Sequence, residues 1–180
     1  MISVFDLFKI GIGTSISHTV GPIRSAHHFP AGLRQADDLH RVARVHVELF
    51  GSLGATGHGH GTVKAVVAGL AGNLPDLVDP EEVRALEEEA GESLQLWLAG
   101  VHLIDFNLHV DIVLHRRKTL PFHANGMTFA AYDGDNLLVV ERTFYSIGGG
   151  FVVEHGEQGA AVVEDPHVVP YPFTTGAQML

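Results

Sequence analysis

The chain has 180 residues, 46% of them hydrophobic and 18% charged, which suits one compact globular domain with an ordinary core. Its 11 Lys+Arg stand against 21 Asp+Glu, a formal net charge of -10, so neither nucleic acid nor an anionic membrane surface is an expected partner. A count of 0 Cys excludes disulfides, a thiolate nucleophile and any iron–sulfur cluster held by this chain alone.

No run approaches the roughly 20 apolar residues needed to cross a bilayer. Asp6 and Lys9 interrupt what would be the apolar region of a signal peptide, so the cytoplasm is the expected location. Ser3 with Asp6 in "SVFDLFK" has the form of a capping box opening a short helix, ended by Gly11 and Gly13. The next run, "KIGIGTSISHTVGP", combines small residues, hydroxyls and His18 without a charge after Lys9, as a loop flooring a pocket would. Gly21-Pro22 predicts a helix with Pro22 at its first position, kinked or divided at Pro30. Val45, Val47 and Leu49 alternate with Arg44, His46 and Glu48, the period of a half-buried strand.

"GSLGATGHGHGTVKAVVAGLAG" reads as a glycine-rich link carrying His58 and His60, followed by a helix from about Thr62 to Ala71. "DPEEVRALEEEAGE" is the clearest helix, with Asp79 as N-cap, Pro80 at the first position and Glu82 completing the capping pattern. From about Leu94 the pattern turns to strands: "LWLAGVHLIDF", "HVDIVLH", "MTFAAYD", "NLLVVERTFYSI" and "FVVEH". Asp133-Gly134-Asp135-Asn136 joins two of them as a hairpin. Helices early and strands late imply an α+β fold, a mixed or antiparallel sheet packed against helices.

Four segments couple glycine to chemically able side chains: "TSISHTVGP", "GHGHGTVKA", "FHANGM" and "YSIGGGF". His58 and His60 facing one way from a strand would supply two metal ligands, short of the three or four that zinc takes, so no metal site is assigned to this chain. A phosphate loop fits less well, because Lys64 falls inside the helix and departs from G-x-x-x-x-G-K-[ST]. Acid–base chemistry is the third reading: His60, just ahead of a helix N-terminus, meets the positive end of the helix dipole, which favours the neutral, proton-accepting ring. Lys64 suits a substrate carboxylate or simply packs along its helix. His123 and Asn125 suit substrate orientation or a closed turn equally.

At these segments the sequence resembles the β (N-terminal) domain of the bacterial iron–sulfur L-serine dehydratases, the L-serine ammonia-lyases. "ISVFDLFKIGIG" with "SHTVGP" is similar to the family's opening signature, and "GSLGATGHGHGTVKA", "FHANGM" and "YSIGGGF" follow in the family's order. The resemblance implies a fold like the allosteric substrate-binding domain of phosphoglycerate dehydrogenase, with residues 1–170 forming the β domain and 171–180 starting a linker. It implies a partner, an α domain or subunit whose cysteines hold a [4Fe-4S] cluster, and a substrate, L-serine. On that cluster, a Lewis acid, serine loses its β-hydroxyl while a protein base removes the α-proton, ending as pyruvate and ammonia.

By position, His60 matches the expected base; His18 and His123 match further catalytic imidazoles of the same cleft. Ser15, Ser17, Lys64 and Asn125 match substrate-binding residues. Thr14 and Ile16 depart from the family's usual Pro and Ser, and His58 stands where Lys is common. The resemblance implies a homodimer and a chain that is inactive alone, whether a fragment or a natural subunit. Two other classes compete: a regulatory amino-acid-binding module without a chemical role, and a pure dimerisation domain paired through the edge "VVERTFYSI".

Overall fold

The computed structural model describes residues 15–156 and 159–163. The capping box at Ser3 and Asp6, with its short helix, and the proline-rich tail from 164 onward, including 171–180, lie outside the described residues.

The centre of the fold is β1 (Arg44–Phe50), whose alternation buries Val45, Val47 and Leu49 completely and leaves Arg44, His46 and Glu48 on the other face. One edge of β1 pairs antiparallel with β5 (Gly126–Tyr132). The other edge pairs parallel with two strands laid end to end, β3 (His102–Asp105) and β4 (Ile112–His115). With β2 (Gln95–Leu98), β6 (Leu138–Gly148), β7 (Phe151–Gly156) and β8 (Gly159–Val163), the sheet order is β2-β3-β1-β5-β6-β7-β8, β4 also pairing with β1. The sheet is therefore mixed and the fold α+β, as the order of elements implied. The strand β8 was not anticipated.

Helix α1 (Val20–Gln35) buries Ile23, Ala26, Phe29 and Leu33, with the Phe29 ring 5.5 Å from Phe129 of β5. It starts two residues before Pro22, so that proline sits in the first turn, where its missing N–H costs nothing, rather than opening the helix. Pro30 does not divide it. The buried stripe on both sides of Pro30 holds the helix on through Gln35, outweighing one lost backbone bond.

The link after β1 is not all coil: it contains α2 (Gly51–Thr56) before α3 (Thr62–Leu70). Residues 65–70 of α3 are buried all round, because α3 packs between α1 and α4 (Pro80–Ser93). Gly69 permits the close crossing, since a Cβ there would collide with the Ile23 carbonyl and the Ala26 methyl. In α4, Asp79 accepts the Glu81 N–H at 2.8 Å, and the narrow seam of Val83 and Ala90 faces inward while the glutamates face water.

"LWLAGVHLIDF" is a hairpin rather than one strand: Ala99 (φ 52°) and Gly100 (φ 69°) both turn left-handed, and the Val101 N–H reaches the Leu98 carbonyl. "HVDIVLH" begins as a helical turn, α5 (Leu108–Asp111), before β4. Asn107 caps it through the His109 N–H, and the buried Asp111 carboxylate binds the Asn107 N–H at 2.7 Å and Arg44 at 2.6 Å. The expected hairpin at Asp133 forms, with Asp133 Oδ1 accepting from the Asp135 and Leu137 N–H groups. Among the described residues no helix is long and apolar enough to cross a membrane.

Candidate functional site

The C-terminal ends of β1, β4 and β6 and the N-terminal end of β5 all lie at one end of the sheet, because β1 runs with β4 and against β5, which runs against β6. The loops leaving that end are the glycine-rich segments of the sequence, and the turn before α1 packs onto them.

A single 3-10 turn, Ile16–His18, precedes α1 and presents the half-buried His18 ring. Its Nδ1 lies 3.1 Å from both the Ser15 and Ser17 hydroxyls, and its Nε2 lies 3.0 Å from the Ser52 hydroxyl in α2. Both ring nitrogens are thus engaged. Burial draws the His18 pKa below its ordinary 6.5; the neighbouring His60 adds to the effect and a hydrogen bond at Ser52 opposes it.

The exposed His60 ring stands 5.1 Å from His18, tilted by 40°. Its Nδ1 is 3.2 Å from the Thr56 carbonyl. A carbonyl only accepts, so Nδ1 carries a proton; in the neutral ring the lone pair is then on Nε2, which has no hydrogen bond among the described residues. Beside it opens a cleft of about 320 Å³ lined by Thr56, His58, His60, Leu114 and Arg116. His58 and His60 lie in the turn between α2 and α3, not on a strand, which overturns the geometry that a two-histidine strand site would need. Among the described residues no group of three or more His, Cys, Asp or Glu side chains is placed to hold a metal ion.

The third segment closes through Asn125. Its N–H donates to His123 Nδ1 at 3.1 Å, which puts the proton of neutral His123 on Nε2. Asn125 Nδ2 donates to the Ser146 carbonyl at 3.2 Å, and the Ser146 N–H returns a bond to the Asn125 carbonyl at 3.0 Å. The Ser146 hydroxyl, fully buried, donates to the Ser17 carbonyl at 2.9 Å. Ser146 therefore ties the last segment to the first and third together. Ser52 closes the ring by donating its N–H to the Ala124 carbonyl. Its neighbour Gly51, at φ +57°, has no room for a Cβ against that same carbonyl.

His18, His60, Ser15 and Ser17 thus form one cluster, to which Asn125 and His123 connect through Ser146. Lys64 is one turn into α3, its stem lying against Gly61, and among the described residues its ammonium has no ion pair or hydrogen bond. Ser52, Ser146 and Arg116 were missed by sequence reasoning. The first two lie inside the segments that drew attention, but a single hydroxyl beside a glycine carries no spacing signal; Arg116 lies in the run between β4 and "FHANGM". On the flank Phe122 packs over Tyr145, rings 5.0 Å apart, and burial pushes the Tyr145 phenol above its ordinary 10.0.

Residues 3–157 match the family model described as serine dehydratase beta chain. The L-serine dehydratase of Streptomyces coelicolor is 54% identical over 180 residues, covering 99% of this chain and 40% of that protein. L-serine dehydratases 2 and 1 of Escherichia coli are 45% and 44% identical over 183 residues, each with 39% of its own length covered. The chain spans about two fifths of the length of these curated relatives. With nearly all the described residues inside the match and the four glycine-rich segments gathered at one site, the chain belongs to the serine dehydratase beta chain family.

Proposed function

We propose that the chain is the β part of an L-serine dehydratase, converting L-serine to pyruvate and ammonia, and that His60 is the base that takes the α-proton of the substrate. Residues 1–170 are its domain and 171–180 the start of a linker to an α part. The observation that carries the reading is the exposed His60 ring in the lining of an open cleft, its Nδ1 on the Thr56 carbonyl and its Nε2 without a hydrogen bond among the described residues. The names of the relatives support the substrate and the reaction class.

With 0 Cys, the chain does not fit an iron–sulfur cluster, so the cluster is assigned to the cysteines of the α part. The work of this chain is binding and proton transfer. His18, engaged at both nitrogens, is a neutral wall against which the His60 ring is held. Lys64, the Ser15 and Ser17 hydroxyls and the Nε2–H of His123 are groups for the substrate's carboxylate and hydroxyl, with Asn125 holding His123. The α-proton passes to His60 and the β-hydroxyl departs as hydroxide, which takes that proton back from His60 to become water, leaving 2-aminoacrylate. That product tautomerises to the imine, which water hydrolyses to pyruvate and ammonia.

The test is His60→Ala in the complete enzyme. Its kcat for L-serine falls by about 10²- to 10⁴-fold while KM moves by less than about threefold, the signature of a lost general base. Turnover kept near the parent rate overturns the assignment.

A further inference from the structure

We propose that Ser52 is a positioning residue of this site, its hydroxyl holding the His18 ring so that His18 in turn holds His60; this role rests on the general-base reading of His60. Among the described residues, the bond from Ser52 Oγ to His18 Nε2 is the one side-chain hydrogen bond between the turn Ile16–His18 and the α2–α3 segment that carries His60. His60 itself is exposed and has, among the described residues, a single ring hydrogen bond, to the Thr56 carbonyl. Among the described residues its one ring neighbour is His18, 5.1 Å away and tilted by 40°.

Ser52 is well placed for this because the rest of it is fixed. Its N–H is on the Ala124 carbonyl at 3.2 Å, and its carbonyl accepts the Thr56 hydroxyl at 2.9 Å. The Thr56 carbonyl then takes both the His60 N–H, at 3.1 Å, and the His60 Nδ1 proton. One residue therefore anchors the backbone that sets the His60 tautomer and, through its hydroxyl, the imidazole that flanks it. Removing only the hydroxyl leaves the backbone bonds of Ser52 in place and frees the Nε2 side of His18. A base displaced by a fraction of an ångström loses rate in the chemical step without losing substrate affinity.

The experiment is a double-mutant cycle in the complete enzyme, read as kcat and KM for L-serine. Ser52→Ala lowers kcat by about 10-fold with KM changed less than about twofold, and Ser52→Thr, which keeps the hydroxyl, restores most of the rate. In a His18→Ala background, where Ser52 has nothing to hold, Ser52→Ala costs less than about a further twofold. Fully additive losses, a rise in KM alone, or a Ser52→Ala enzyme as fast as the parent overturns the role. His60→Ala, measured alongside, separates the two claims. If that variant is active, the base reading fails; if it is inactive and the Ser52 and His18 losses add, only the role of Ser52 fails.

Discussion

Two imidazoles with centroids 5.1 Å apart differ in what touches their nitrogens. His18 is saturated and half-buried, whereas His60 is open to water with one nitrogen committed to a carbonyl. Because burial keeps the folded His18 pKa below the 6.5 of the free ring, the unfolded chain binds the proton more readily than the folded one. Stability contributed by neutral His18 is complete above pH 6.5; it is lost as the pH falls through 6.5 and levels off once the folded ring is protonated too. Denaturant midpoints measured across that window fall with acidification, and His18→Asn flattens the slope; an unchanged slope refutes this account. At this scale the sequence was informative about type and vague about partner. That the segments carrying His18, His60, Ser15 and Ser17 deserved notice was legible from imidazoles and hydroxyls beside glycines, and the four side chains do lie together. Which nitrogen is free was not legible, since it depends on a carbonyl four residues back and on a serine 34 positions away.

Elements were readable where their pattern was local. The alternation of β1, the Asp79-Pro80 start of α4 and the Asp133 hairpin each carry their signal within a few residues. Pro30 misled because its local cost is outweighed by a helix face buried on a sheet contributed by distant segments. Ala99-Gly100 was obscured in the opposite way: an alanine held at φ 52° is not an advertised turn residue, so an apolar run was read straight through. Gly51 shows how one backbone position couples elements. It opens α2 in a left-handed conformation, and its N–H donates to the Lys118 carbonyl while the next residue reaches Ala124. Gly51→Ala therefore destabilises the chain by about 1–3 kcal/mol, from positive-φ strain and collision with the Ala124 carbonyl. Equilibrium unfolding in urea measures this; a midpoint equal to the parent's would show that the β1–α2 junction yields freely.

For the whole molecule, the α+β class was foreseeable from element order, but the parallel pairing of β1 with β3 and β4 was not. That register joins residues more than 60 positions apart, so no local pattern along the chain announces it. The division of labour proposed for the family makes a plain forecast: this chain alone, given L-serine, iron and sulfide without oxygen, forms no pyruvate above background. The proposed base is part of this chain, but a chain with 0 Cys has no thiolates to hold the iron–sulfur cluster that would draw away the β-hydroxyl. Pyruvate formation by the isolated chain would require a second route of catalysis within these 180 residues. The bond from the Ser146 hydroxyl to the Ser17 carbonyl bridges 129 positions. A nascent polypeptide leaving the ribosome must therefore expose residue 146 before the first and last of the glycine-rich segments can be tied together.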